Sequence, residues 1–383
     1  MRNSTEIPQG YKDSPLGIIP IGWQVLRLGE VCSGIFSGSN QSRTETGLYP
    51  VYGSTGIIGK TNDYQYDGYK ILVARVGAHA GFVYLVSGKF DVSDNTIIIN
   101  NVDDYTTYFA YQQLMAANLN KMVFGSGQPL ITARMLKQLI IACPPMEEQK
   151  RINQVLRLWD EAIEKQTELI KKLKLRKRGL MQQLLTGKKR LPGFTGNWKT
   201  LKLGELFSER NETNCSGLPL LSITGDRGVI YQSDSEKRDI SNDDKSKYKR
   251  ICPFDIGYNT MRMWQGRSAL SMLEGIVSPA YTIVTPRDFV DVRFMALLIK
   301  EPHVVHKFWE HSQGLVSDTL NCKFPDFCQV KVTIPPQKEQ VAIANMISSF
   351  DEELKFENEK LLSLQIQKRG LMQQLLTGKK RIV

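Results

Sequence analysis

A chain of 383 residues, 41% hydrophobic and 23% charged, is long enough for two or three folded domains and too balanced for a disordered or fibrous protein. Its formal net charge of +11 favours a polyanionic partner, duplex DNA first among them. No run of 18 apolar residues could span a bilayer, no basic-then-apolar secretion signal opens the chain, and the six cysteines form no CxxC pair; reduced thiols and a cytoplasmic location are the expectation.

Residues 1–22, rich in Pro, Gly and polar side chains, read as an extended lead-in. A first globular domain is expected over 23–146. Within it 48–52, 70–76, 82–86 and 95–100 carry the β-branched and aromatic residues of strands. Residues 108–122 have helical spacing, and 136–145 read as a last strand stopped by Pro144-Pro145. From 147 to 187 the pattern changes. Ile152, Leu156, Trp159, Ile163, Gln166, Ile170, Leu173, Lys177, Leu180 and Leu184 alternate spacings of four and three, the 3.5-residue period of a coiled coil. Roughly 40 helical residues make a rod about 60 Å long.

A linker at 188–197 leads to a second globular domain over 198–337. Strands are expected at 228–232, 255–261 and 280–286, and one helix at 291–312. A second heptad helix follows at 338–378, with Ile343, Ile347, Phe350, Leu354, Glu357, Leu361, Leu364, Lys368, Leu371 and Leu375 on its stripe, and a tail at 379–383. The helices share the 14-residue segment KRGLMQQLLTGKKR, at Lys177–Arg190 and again 191 positions later at Lys368–Arg381. Pro144-Pro145 with Glu148-Gln149 recurs at the same offset as Pro335-Pro336 with Glu339-Gln340, and Trp23, Leu26, Leu28, Gly29 and Glu30 are echoed by Trp198, Leu201, Leu203, Gly204 and Glu205. The plan is therefore performed twice, with unlike globular bodies.

Enzymatic motifs fail on spacing. Gly53 and Gly59-Lys60-Thr61 have five residues between the glycines where a phosphate-binding loop needs four. The Pro-Pro pairs follow Cys143 and Ile334, not the Asn or Asp that an adenine methyltransferase carries there, and Phe124-Gly125-Ser126-Gly127 has the wrong spacing for a methyl-donor loop. Pro325-Asp326 with Glu353 and Lys355 mimics a nuclease pattern, but its second half lies on the heptad helix. His303, His306, His311, Cys322 and Cys328 match no zinc-finger spacing, so no metal and no catalytic residue is expected.

The segment GYKDSPLGIIPIGW, the Leu-Gly-Glu turns at 28–30 and 203–205, the Pro-Pro-x-x-Glu-Gln helix starts and RGLMQQLLTGKKRLPGF together resemble the specificity subunit of type I restriction-modification systems over the whole length. The resemblance implies an α+β fold: two mixed α/β target-recognition domains separated by two long helices that form an antiparallel coiled coil, with a pseudo-twofold internal repeat. It implies that each domain reads one half of a split double-stranded DNA target, and that the helices set the spacing and dock two modification (methyltransferase) subunits. Those partners bring S-adenosylmethionine; restriction subunits with ATP and Mg complete the nuclease. The chain itself would hold no cofactor and catalyse nothing. The competing readings are a stand-alone methyltransferase or nuclease, for which motifs are missing, and a structural coiled-coil adaptor, which leaves two elaborate bodies unexplained.

Base reading needs polar side chains on exposed loops. The candidates are Ser39, Asn40, Gln41, Arg43, Ser54, Lys60, Arg75 and His79 in the first body, and Thr224, Arg227, Asn259, Arg262, Gln265, Arg267 and Gln313 in the second. Half-sites one helical turn apart, about 34–36 Å, would put both readers on one face of the duplex. The polar stripe positions Gln166, Lys177, Glu357 and Lys368 suggest a register that places Glu357 beside Lys177 and Gln166 beside Lys368. The run 171–190 holds nine Lys/Arg and no acid.

Overall fold

The computed structural model describes every residue except 1–6, 102, 125–128, 226, 236–243, 315–318 and 383, and the side chains of 104 and 105. The described chain forms two compact units, Met1–Glu168 with Asn358–Val383, and Leu169–Glu357. Each long helix, Met146–Leu184 and Gln337–Leu375, therefore contributes to both.

In the first unit an antiparallel four-stranded sheet runs in the order Gly34–Ser37, Thr96–Asn100, Lys70–Ala74, Val83–Val86. Three successive isoleucines, Ile97 to Ile99, are buried because both faces of the sheet are covered. Ile97, Ile99, Ile71 and Val73 pack with Leu114 and Leu136 on one face, while Ile98 and Leu72 pack with Phe90 and Val92 on the other. A smaller ladder pairs Gln24–Arg27 with Ile140–Cys143, which brings the start of the body to its end. Ile19, Trp23, Ile152, Leu156, Met372, Leu375 and Leu376 form a separate core where the lead-in and both helices meet.

The second unit repeats this plan. Its sheet runs Phe207–Arg210, Tyr281–Pro286, Ile256–Asn259, Ser268–Leu270, and its closing ladder pairs Lys199–Lys202 with Lys331–Ile334. In both bodies strand order is first, fourth, second, third along the chain. The Leu-Gly-Glu echo becomes a one-turn helix in each. Leu28 and Leu203 are buried, and Glu30 and Glu205 accept from the backbone N–H of Arg27 (2.7 Å) and Lys202 (2.6 Å). Glycine between them permits close packing: a Cβ at Gly29 would lie 3.1 Å from the Lys137 carbonyl oxygen.

Five elements differ from the sequence expectation. The strand expected at 136–145 is split into a helix, Ala133–Gln138, capped by Thr132, and a strand, Ile140–Cys143. The helix expected at 108–122 starts earlier, at Asp104, where Asp103 caps it, and stops at Ala117 because Asn118 takes left-handed backbone (φ +49°). The helix expected at 291–312 is two, Val292–Leu298 and Pro302–His311, since Pro302 cannot donate to a preceding turn and instead opens the second helix. The long helices end at Leu184 and Leu375 rather than at 187 and 378. Gly187 (φ +69°) and Gly378 (φ +71°) turn the chain left-handed, their N–H groups reach Leu184 O (3.4 Å) and Leu375 O (3.3 Å), and Lys189 N–H to Gln183 O and Lys380 N–H to Gln374 O, both 3.1 Å, close the helix ends.

Within each unit the helix segments run antiparallel. In the first unit Glu148 pairs with Arg381 and Asp160 with Lys368. In the second, Glu339 pairs with Arg190 and Asp351 with Lys177. These pairs are each other's images under the 191-residue repeat. Lys177 and Lys368 thus bond Asp351 and Asp160, two carboxylates that flank the stripe. A lysine stem on the apolar stripe carries its ammonium outward to a flanking carboxylate, which costs less desolvation than crossing the seam. Ile152, Leu156, Ile170, Leu173, Leu184, Ile343, Ile347, Phe350 and Leu375 are buried, with Gln166; Trp159, Ile163, Leu180, Leu354, Leu361, Leu364, Leu371, Lys177, Glu357 and Lys368 are half-buried.

The Pro-Pro-x-x-Glu-Gln motif is a helix start with two reaching side chains. Gln149 donates back to the Pro144 carbonyl and Gln340 to that of Pro335, both at 2.9 Å. The buried Glu148 and Glu339 receive the arginines that end the repeated segment, Arg381 (2.8 and 3.0 Å) and Arg190 (2.6 and 2.8 Å). Helix start and helix end of opposite repeats are thereby locked in each unit.

Burial pushes the thiols of Cys32 and Cys322 up to about 12 and that of Cys143 up to about 11. A raised value keeps each thiol protonated and unreactive well above neutral pH. Iodoacetamide at pH 8 should therefore leave these three unmodified in the native protein and label them after denaturation. Rapid native labelling of Cys32 would contradict the packing described.

Candidate nucleic-acid interface

Three of the first-body candidates, Asn40, Ser54 and Arg75, meet at a turn that the sequence did not single out, Ser93–Asn95. Ser54 donates its hydroxyl to the Asn95 carbonyl (2.6 Å), and Arg75 donates a backbone N–H to the same oxygen (2.9 Å) and a guanidinium N–H to Asp94 O (3.2 Å). Asn40 is buried rather than displayed: its amide donates to Asp91 (2.6 Å), itself buried, and its backbone N–H to Val92 O. Ser39 reaches Gln65 (3.3 Å). Gln41, Arg43 and Lys60 are exposed. His79 stands edge-on to Phe82, and its Nδ1 has no partner among the described residues. The run DVSDN (91–95) is a polar turn between apolar strands, a signal that was present in the sequence.

The second-body candidates meet at one end of the sheet. Thr224 shapes its own hairpin turn, accepting from Arg227 N–H and donating to Gly228 O (2.8 Å), and Arg227 donates to Asp234 O (3.3 Å); Asp226 of that turn lies outside the described residues. Asn259 ends its strand and accepts from Met261 N–H (3.0 Å). Arg267 abuts Gly225, which joins the two loops. Gln313 bridges Asn321 through its backbone, and Asn321 is followed by Cys322, whose N–H reaches Thr260 O (2.8 Å). Arg262, Gln265, Arg267 and Gln313 are exposed.

The same end of each sheet therefore carries mixed cationic and amide groups on turns braced by backbone hydrogen bonds. Such a surface can hold a phosphate chain and present donors to base edges. Among the described residues no group of three or more His, Cys, Asp or Glu side chains is placed to hold a metal, and no helix is long and apolar enough to cross a membrane.

Comparison with known proteins places this arrangement. Residues 20–175 match the family described as type I restriction modification DNA specificity domain. The chain is similar to the type I restriction enzyme MjaVIII specificity subunit of Methanocaldococcus jannaschii, 23% identical over 95% of this chain and 94% of that one. A second subunit of that organism, the putative MjaX specificity subunit, is 23% identical over 98% and 97%. In fold the chain resembles the crystal structure of a type I restriction-modification S subunit from M. genitalium, with a TM-score of 0.60, 17% identity, and 92% and 96% of the two chains covered. A chain from a study of complex assembly and conformational transition of the type I R-M system aligns with a TM-score of 0.56 at 16% identity, covering 94% and 99%. By domain over residues 20–175, by full-length sequence and by fold, the chain is similar to the type I restriction-modification specificity subunits.

Proposed function

We propose that the chain selects the DNA sequence on which a type I restriction-modification complex acts, each body reading one half of a bipartite, asymmetric target in the cytoplasm. The observation that carries this reading is the repetition of one topology in two bodies of unlike sequence, joined to helices that end in one identical 14-residue segment. Like scaffolds with unlike loops suit two different half-sites, and like helix ends suit two copies of one partner. The helices set the separation of the readers and dock modification subunits, which supply S-adenosylmethionine and the methyl-transfer chemistry; restriction subunits add the ATP- and Mg-dependent nuclease. The chain contributes binding alone. Among the basic residues of 171–190, Lys177 and Arg190 serve the fold through Asp351 and Glu339; Arg178 and its copy Arg369, both exposed, are repeated residues suited to symmetric partner or phosphate contact.

Methyl transfer to DNA by the purified chain, alone and with its modification subunit, tests the proposal. No transfer is expected from the chain alone, and N6-methyladenine mapping of DNA treated with the pair should return a motif of two unlike halves. Activity without the partner, a palindromic motif, or methylation indifferent to sequence each overturns it.

A further inference from the structure

The reading loops cannot be aligned by sequence, but the sheets align them by topology. In each body the second and third strands of the sheet in chain order form an edge hairpin: Lys70–Ala74 with Val83–Val86, and Ile256–Asn259 with Ser268–Leu270. Both hairpins are joined by a short loop that contains one 3-10 turn, Gly77–His79 and Met263–Gln265. Both close with backbone bonds at the strand ends, Ala74 N–H to Phe82 O (2.8 Å) and Asn259 N–H to Arg267 O (3.0 Å). RVGAHAGF and TMRMWQGR thus occupy one structural position.

The second loop is stiff at its base and free at its tips. Met263 is buried, Trp264 donates its indole N–H to Met261 O (2.9 Å), Thr260 N–H reaches Ala280 O, and Gly266 closes the turn in left-handed backbone (φ +73°). On this base Arg262 and Gln265 are exposed, and neither side chain makes a hydrogen bond or ion pair with any described residue. The neighbouring candidates Thr224, Arg227 and Asn259 are spent on shaping their own turns. In the first body the hairpin loop leaves His79, half-buried and edge-on to Phe82, whose buried Nδ1 has no partner among the described residues, while Asn40, Ser54 and Arg75 are consumed within the chain.

We propose that this edge hairpin is the base-reading element of each body, with Arg262 and Gln265 reading one half-site and His79 the other; the inference rests on the DNA-reading function proposed above. An unpaired guanidinium on a pre-ordered loop matches the two acceptors of guanine in the major groove, O6 and N7, and a glutamine amide matches N6 and N7 of adenine. Little ordering entropy is lost on binding, because the loop backbone is already fixed. Exposed Arg43 and Lys60, which lie off the hairpin, contact phosphate and carry no sequence information.

The test maps N6-methyladenine in genomic DNA from cells that express the complete chain with its modification subunit. Arg262→Ala should make one guanine-containing position of one half-site degenerate, with discrimination there falling roughly tenfold to a hundredfold, and leave the other half unchanged. His79→Gln should change only the other half. Arg262→Lys keeps the charge but loses the two-pronged geometry, so it should relax the same position while the complex stays active; it serves if Arg262→Ala fails to accumulate. An active complex whose motif is unchanged by Arg262→Lys or by His79→Gln overturns the assignment of these hairpins. A wild-type complex without a two-part motif overturns the underlying function instead, and the two failures are thereby separate.

Discussion

Replacing Asp255 by alanine should destabilise the second unit by about 3–5 kcal/mol. Asp255 is 1% exposed and stands at the start of the Ile256–Asn259 strand. Its carboxylate accepts from Arg210 Nε (2.7 Å), the Cys252 N–H (2.8 Å) and the Thr285 hydroxyl (2.8 Å), which ties two other strands of the sheet and the preceding turn to one point. Arg210 continues outward to Glu212, which also receives Arg250, and Arg250 bonds Glu274. The outer members are open to water: the side chains of Glu212 and Glu274 are 43% and 44% exposed. Losing Asp255 leaves the Cys252 N–H and the Thr285 hydroxyl without their acceptor and the Arg210 guanidinium with Glu212 alone, whereas solvent compensates the loss of an outer carboxylate. Hydrogen exchange read unit by unit under urea checks this, since a chain with two compact units need not unfold in one step. Glu274→Gln should stay close to wild type. A similar protection loss for both variants would mean that Asp255 holds no special place in the network.

Trp23→Ala should cost about as much, roughly 3–5 kcal/mol, in the first unit. The indole is fully buried, packs in the core formed by Ile19, Ile152, Leu156, Met372, Leu375 and Leu376, and donates its N–H to Glu148 (3.0 Å). The informative comparison is with phenylalanine. Trp23→Phe keeps most of the apolar contact but removes a donor from a buried carboxylate, a loss of about 1–2 kcal/mol with Arg381 still in place. Its repeat partner Trp198 is only half-buried, and its indole N–H has no partner among the described residues. Trp198→Phe should therefore be nearly neutral. Equal losses for the two phenylalanine variants, measured by the same unit-resolved unfolding, would remove the asymmetry between the repeats.

The repeat plan was legible because it is written in identity and period. KRGLMQQLLTGKKR, the Pro-Pro pairs and the 3.5-residue stripe require no knowledge of contacts. Partners across the coil were not legible. Asp160 and Asp351 lie beside the apolar stripe, and a stripe alone does not say which flanking carboxylate a lysine will reach. The helix Ala133–Gln138 was hidden because LKQLIIA is apolar enough for a strand, while its cap, Thr132, lies outside that run. The reading loops were located as polar segments between strands. Their sorting was not legible, since only the fold shows that Asn40 is taken by Asp91 and Ser54 by Asn95, and that Arg262 is left over.

The closing bonds at Ala74 with Phe82 and at Asn259 with Arg267 mark where obligation to the core ends. Inward of them, nearly every side chain answers to a neighbour in the sheet. Outward of them, the side chains of the tip residues Arg262 and Gln265 bond to no other described residue. Variation at those tips is cheap for stability and costly only for what is recognised. A lineage can thus drift from one target to another in single steps, without passing through an unfolded ancestor.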